Sequence, residues 1–268
     1  MATHSDRRSA QRSGARRKAT RDPAAAAAGE GEFLTELRHR LPVEPVSLDA
    51  ANRRIGLVIV DEINGFATIG CGPLAPAGPN AQIDRMVGET DRLARLFQAS
   101  GRPIAVFLDT HSTARPEPPY PPHCLEGSGH EDLVPALAWL AESPQTIFIR
   151  KDCINGFVGS IAADGSNRIV DWVNRHRLDS ILVVGICTDI CVMDFVLTML
   201  SARNHELMPS LEEIAVHELA CATYDLPRPI AESLGLPVTS AHPQALTHHL
   251  GLYFMASRGA LLVDAVAI

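Results

Sequence analysis

The sequence predicts an α/β protein, built on a doubly wound sheet of six mainly parallel strands with helices on both faces. Three observations predict it. Six short runs, at 55–60, 104–108, 146–149, 181–184, 213–216 and 261–263, are rich in apolar residues. Between them, 82–99, 167–175, 191–202 and 244–255 carry apolar residues at helical spacing. Near-continuous apolar strands, lacking the polar alternation of a half-solvated sheet, are buried on both faces by crossover helices.

Such a Rossmann-like sheet places its ligand site in the crevice outside the carboxyl ends of the strands. Residues that act together are therefore expected just after strands, however far apart they lie in the chain. With 46% hydrophobic residues among 268, the chain can fill one sizeable core, and no internal repeat suggests a second.

Residues 1–30 stand apart. They are rich in Arg, Ser and Ala, end in the Ala24 to Ala28 run, and carry almost no large apolar side chain, so they read as a disordered basic tail before a domain at 31–268. Their Arg and Ser content is also that of an organelle transit peptide, against which stand Asp6 and the lack of an amphipathic face. Residues 1–21 hold seven of the 24 basic side chains and one of the 31 acidic ones, leaving 17 against 30 in the remainder, a net charge of about −13. A domain that acidic excludes the counterion-releasing face of a nucleic-acid binder. No stretch reaches the ~20 apolar residues of a membrane span. Six scattered cysteines without CxxC pairs fit a reducing, cytoplasmic compartment.

The first strand ends in Asp61-Glu62-Ile63-Asn64-Gly65-Phe66, which makes Asp61 a candidate acid or base, or equally a structural carboxylate. The second ends in Asp109-Thr110-His111, and a Pro-rich loop leads on to Tyr120-Pro121-Pro122-His123-Cys124. Asp109 and His111 lie two apart and point the same way on an extended segment, so with His123 they could hold one divalent ion. Zinc suits two His and a carboxylate, while iron or manganese suits an open octahedral use of the same donors. Incidental loop histidines are the alternative. After the third run comes Lys151, an ordinary solvated lysine unless a carboxylate such as Asp61 faces it.

In Gly185-Ile186-Cys187-Thr188-Asp189-Ile190-Cys191-Val192 a buried strand turns through Gly185 into an apolar helix, with Cys191 expected at the helix start. Helix N-terminal amides lower a thiol pKa and can hold an oxyanion, so Cys191 is a candidate nucleophile, or else an inert buried cysteine. Cys187 is expected to serve through its backbone, and His248 and His249 to be packing or surface residues.

Together these segments resemble the isochorismatase-like cysteine hydrolases, and among them the plant-type nicotinamidases, from about residue 32 to the end. The resemblance implies Asp61, Lys151 and Cys191 as the catalytic set, and Asp109, His111 and His123 as ligands of one divalent metal. It also implies a cis Ile186–Cys187 peptide aiming the Cys187 and Cys191 amides at the substrate oxygen, and Phe66 and Tyr120 stacking on the substrate ring. Tyr120 stands where other members carry Trp. The implied reaction is hydrolysis of nicotinamide to nicotinate and ammonia through a Cys thioester, a step of NAD salvage by a protein that could form homo-oligomers. The alternatives are an amidase of the same fold acting on another small amide or carbamoyl compound, and a non-catalytic binding protein.

Overall fold

The computed structural model describes residues 23–115 and 117–268, and for 23–30 the backbone alone. The tail and transit-peptide expectations for residues 1–22 lie outside the described residues. Helix α1 (Pro23–Arg40) runs across the boundary expected at residue 30.

The sheet has seven strands rather than six: β1 (Val46–Asp49), β2 (Ile55–Val60), β3 (Ile104–Asp109), β4 (Thr146–Lys151), β5 (Ser180–Ile186), β6 (Glu213–Ala222) and β7 (Leu261–Ala267). Their order is β1-β7-β6-β5-β2-β3-β4, and every pairing is parallel. The additional strand is β1, an edge strand in which only Leu48 is buried, so it carries no apolar run to betray it. By contrast β2, β3 and β5 are buried at every position, as sandwiched central strands must be.

Alternate residues of these strands feed two cores. Val58, Val60, Phe107 and Val183 face α5 (Arg168–His176) and α6 (Met193–Asn204), meeting Trp172, Phe195 and Met199. Leu57, Ile59, Val106 and Leu182 face α3 (Ala81–Ala99), meeting Leu93 and Phe97. Short helices α2 (Asn64–Ala67), α4 (Gly156–Gly159) and α7 (Arg228–Ser233) lie in the connections, and α8 (Gln244–Ala256) precedes β7. Among the described residues no helix is long and apolar enough to cross a membrane.

From β2 the chain winds outward through β3 and β4, then returns to the other side of β2 as β5. The switch point therefore lies between β2 and β5, and a crevice opens at their carboxyl ends. Gly185 makes this close approach feasible. Its φ is +129°, the β5/β6 register shifts beside it, and a Cβ there would sit 2.1 Å from the carbonyl oxygen of Val60.

Candidate active site

Four strand ends meet at this crevice. Asp61 follows β2 with a φ of +54°, and is fully buried. Asp109 and Lys151 are paired last residues of β3 and β4. The Lys151 Nζ is 2.8 Å from Asp61 Oδ2 as an ion pair, donates to Asp109 Oδ1 at 2.9 Å, and donates to the Cys153 carbonyl at 3.1 Å. The ammonium is thus bracketed by two buried carboxylates. Burial disfavours its charge, but Asp61, Cys191 and Asp109 outweigh that and hold its pKa well above the ordinary lysine value.

The two carboxylates diverge although they share one lysine. Burial pushes Asp61 up to about 6, against the pull of Lys151 and with a further push from Asp109. Asp109 is also opposed by burial, yet Lys151 and the hydrogen bonds of His111 and His123 hold it far below the usual carboxylate range. Asp61 is therefore the carboxyl whose pKa lies nearer neutrality, and Asp109 the one held ionised. Neither Asp61 oxygen meets a well-aligned hydrogen-bond donor, and the Cys191 thiol lies beside this carboxylate.

Cys191 does not begin a helix. A π-helical turn, Thr188–Val192, follows β5 through a cis Ile186–Cys187 peptide, and α6 starts only at Met193. Nor is its thiol pKa depressed, as its place in the sequence suggested. Burial, and then the neighbouring Asp61, push it well above the ordinary thiol value despite Lys151. The thiol is held protonated beside a carboxylate that can take its proton. Cys187 is among the residues that line the crevice, and burial pushes its thiol up to about 12.

Next to the Lys151 pair, the Nε2 atoms of His111 and His123 lie 3.0 and 3.1 Å from Asp109 Oδ2. Glu117 Oε2 approaches the same two nitrogens at 3.6 and 3.7 Å. Each of the four residues offers one donor atom, and all four atoms lie within 4.8 Å of one another. The His123 Nδ1 faces the carbonyl of Pro121 at 2.8 Å and its Nε2 faces Asp109, so both nitrogens face acceptors, and a bound divalent ion would take the place of the Nε2 proton. Two imidazole nitrogens and two carboxylates converging in this way fit a divalent ion. Glu117 was missed because it sits in a Pro-rich loop with no periodicity to orient it.

Phe66 (on α2), Tyr120 and Tyr224 line the same cleft, with Ile154, Ile186 and Ile190 between them, around about 510 Å³ of empty space. The rings of Phe66 and Tyr120 stand 5.7 and 6.0 Å from that of His123, so two aromatic walls flank the proposed ligand. The structure thus brings together every residue expected at the site. Tyr224 was not expected, since nothing in its sequence surroundings marks it.

Residues 56–228 match the isochorismatase domain family. The chain is 48% identical to Nicotinamidase 1 of Arabidopsis thaliana over 238 residues, covering 88% of this chain and 96% of that protein. Among solved structures it resembles a nicotinamidase from Bacillus subtilis, with a TM-score of 0.58 and 21% identity over 78% of this chain and 98% of the other. It also resembles the pyrazinamidase of Pyrococcus horikoshii in complex with zinc, with a TM-score of 0.53 and 17% identity over 79% and 99%. At such identities the structural likenesses establish the fold.

Proposed function

Since the chain belongs to the isochorismatase family and, within it, groups with the nicotinamidases, we propose that it hydrolyses nicotinamide to nicotinate and ammonia with Cys191 as nucleophile. The observation that carries this reading is the arrangement of Asp61, which is pushed up to about 6, ion-paired to Lys151 and adjacent to a protonated Cys191 thiol.

In the resting site, Asp61 as carboxylate accepts the Cys191 proton while Sγ attacks the amide carbon. Lys151 remains charged and stabilises the negative charge that passes from carboxylate to thiolate. The Cys187 and Cys191 backbone amides are assigned to the developing oxyanion. Asp61 then gives its proton to the departing nitrogen, so that ammonia leaves and an acyl thioester stays on Cys191. In the second half Asp61 accepts a proton from water as the water oxygen attacks the thioester, and the thiol is re-formed as nicotinate departs.

Phe66 and Tyr120 hold the flat ring. Asp109, His111, Glu117 and His123 would hold one divalent ion, which when bound would supply a positive centre for a ring-nitrogen lone pair and polarise water. The donors suit zinc, the ion of the Pyrococcus horikoshii complex, and equally accommodate iron or manganese. The free state of all six cysteines is consistent with a cytoplasmic setting. Release of nicotinate and ammonia from nicotinamide, by wild type and by Cys191→Ala, tests the assignment. Turnover by wild type alone supports it, and equal turnover by both, or by neither, refutes it.

A further inference from the structure

Asp189 stands between Cys187 and Cys191 in the nucleophile turn, and its carboxylate is engaged by residues outside the Asp61–Lys151 pair. Its Oδ2 lies 2.7 Å from His242 Nε2, and its Oδ1 accepts from the Thr223 hydroxyl at 2.7 Å. The other ring nitrogen of His242, Nδ1, faces the carbonyl of Tyr224 at 2.9 Å. A carboxylate held ionised and a carbonyl are both acceptors, so both nitrogens need a proton and His242 is an imidazolium. Its ring stacks on that of Tyr224, with centroids 3.9 Å apart and planes 13° from parallel. Such a cation under an aromatic face is attracted by the ring's negative quadrupole.

The surroundings hold this unit in place. Thr223 N–H donates to Gln82 Oε1 on α3 at 3.0 Å, and Gln244 Nε2 on α8 donates to the Thr223 carbonyl at 2.6 Å. Leu226 and His242 exchange backbone hydrogen bonds at 2.9 and 2.7 Å. Behind the turn, α8 presses so close that a Cβ on Gly251 would sit 2.8 Å from the Asp189 Cα. Tyr224 itself lines the cleft that also contains Phe66, Tyr120 and Cys191.

We propose that Tyr224 is a third aromatic wall selecting a planar ring amide, and that the Asp189–His242 ion pair is the positioning device that ties this wall to the nucleophile turn. The inference rests on the aromatic-amide reading given above. Without the imidazolium beneath it, the Tyr224 ring loses both its stacking partner and the link that sets its distance from Cys191. The wall acts on the bound ring rather than on the bond being broken, so its loss should appear in KM rather than kcat.

The test compares KM and kcat for nicotinamide in wild type, Tyr224→Phe, Tyr224→Leu and His242→Gln, with thermal melting as the measure of fold. Tyr224→Phe keeps the ring and is expected to stay within about twofold of wild type. Tyr224→Leu is expected to raise KM about tenfold with kcat within about threefold, and His242→Gln to raise KM several-fold. An unchanged KM in Tyr224→Leu, a Phe variant as impaired as the Leu variant, or a fall in kcat alone would overturn the proposal. Wild-type turnover reports separately on the underlying assignment. If it is absent, direct binding of nicotinamide and of ring-free acetamide to the same proteins decides the wall. Weakening of nicotinamide alone in Tyr224→Leu supports it, and equal binding by wild type and variant overturns it.

Discussion

Replacing Lys151 with Met removes the one cation that lies 2.8 Å from Asp61 and 2.9 Å from Asp109, and leaves both carboxylates buried. Breaking a buried ion pair from one side costs about 3–5 kcal/mol, because the remaining charge has lost its compensation. In a domain of this size each kcal/mol lowers Tm by roughly 2–4 °C, so a fall of about 6–20 °C is expected at neutral pH. The sign of its pH dependence follows from Asp61. Without Lys151 the folded pKa of Asp61 rises further, so the deficit is greatest above the variant's raised pKa and shrinks as pH falls from there toward the wild-type value of about 6. Activity moves the opposite way. With its pKa at about 6, Asp61 is ionised in roughly nine molecules in ten at pH 7. Once the lysine is gone, each unit of further rise beyond neutral costs about tenfold in available base. The acid limb of kcat/KM, expected near pH 6 in wild type, should therefore move to higher pH in Lys151→Met, and rate should be partly recovered in alkaline buffer. Paired melting curves and pH–rate profiles measure both effects. A variant with unchanged Tm and an unmoved acid limb would refute the role given to this lysine.

Alkylation of Cys191 by iodoacetamide should be slow at pH 7 and accelerate with pH, since the thiol is held protonated; fast labelling at neutral pH, read by peptide mass spectrometry, would contradict the direction of its shift. Glu117→Gln should lower bound metal, measured by elemental analysis, though less than His111→Ala or His123→Ala. Full metal content in all three variants would show that the cluster is only a structural loop. Gly185→Ala should yield little folded protein, because its Cβ would meet the Val60 carbonyl oxygen at 2.1 Å on a backbone with φ of +129°. Normal yield and melting would show that the strand end can relax.

What the sequence made legible follows from burial. Strands β2, β3 and β5 are enclosed on both faces and therefore read as uninterrupted apolar runs, whereas β1 at the edge buries only Leu48 and leaves no such trace. Asp61, Asp109, Lys151 and Cys191 could be found because a parallel sheet collects its strand ends in one crevice, whatever their separation in the chain. Glu117 and Tyr224 come from loops, where neither period nor strand end fixes a direction. His242 could not be separated from other histidines without knowing that Asp189 lies 2.7 Å away. For the Cys191 thiol a helix-start argument is local and points its pKa down, whereas desolvation and the charge of Asp61, which push it up, arise only once the chain has folded.

The central claim is that Cys191 carries the acyl group between amide cleavage and hydrolysis. Acid quenching of wild-type protein during turnover of nicotinamide, followed by peptide mass spectrometry, tests it most directly. The account predicts a nicotinoyl thioester on the peptide containing Cys191, absent from Cys191→Ala and absent without substrate. Sustained nicotinate production by Cys191→Ala, or an acyl adduct found on a different cysteine, would contradict it.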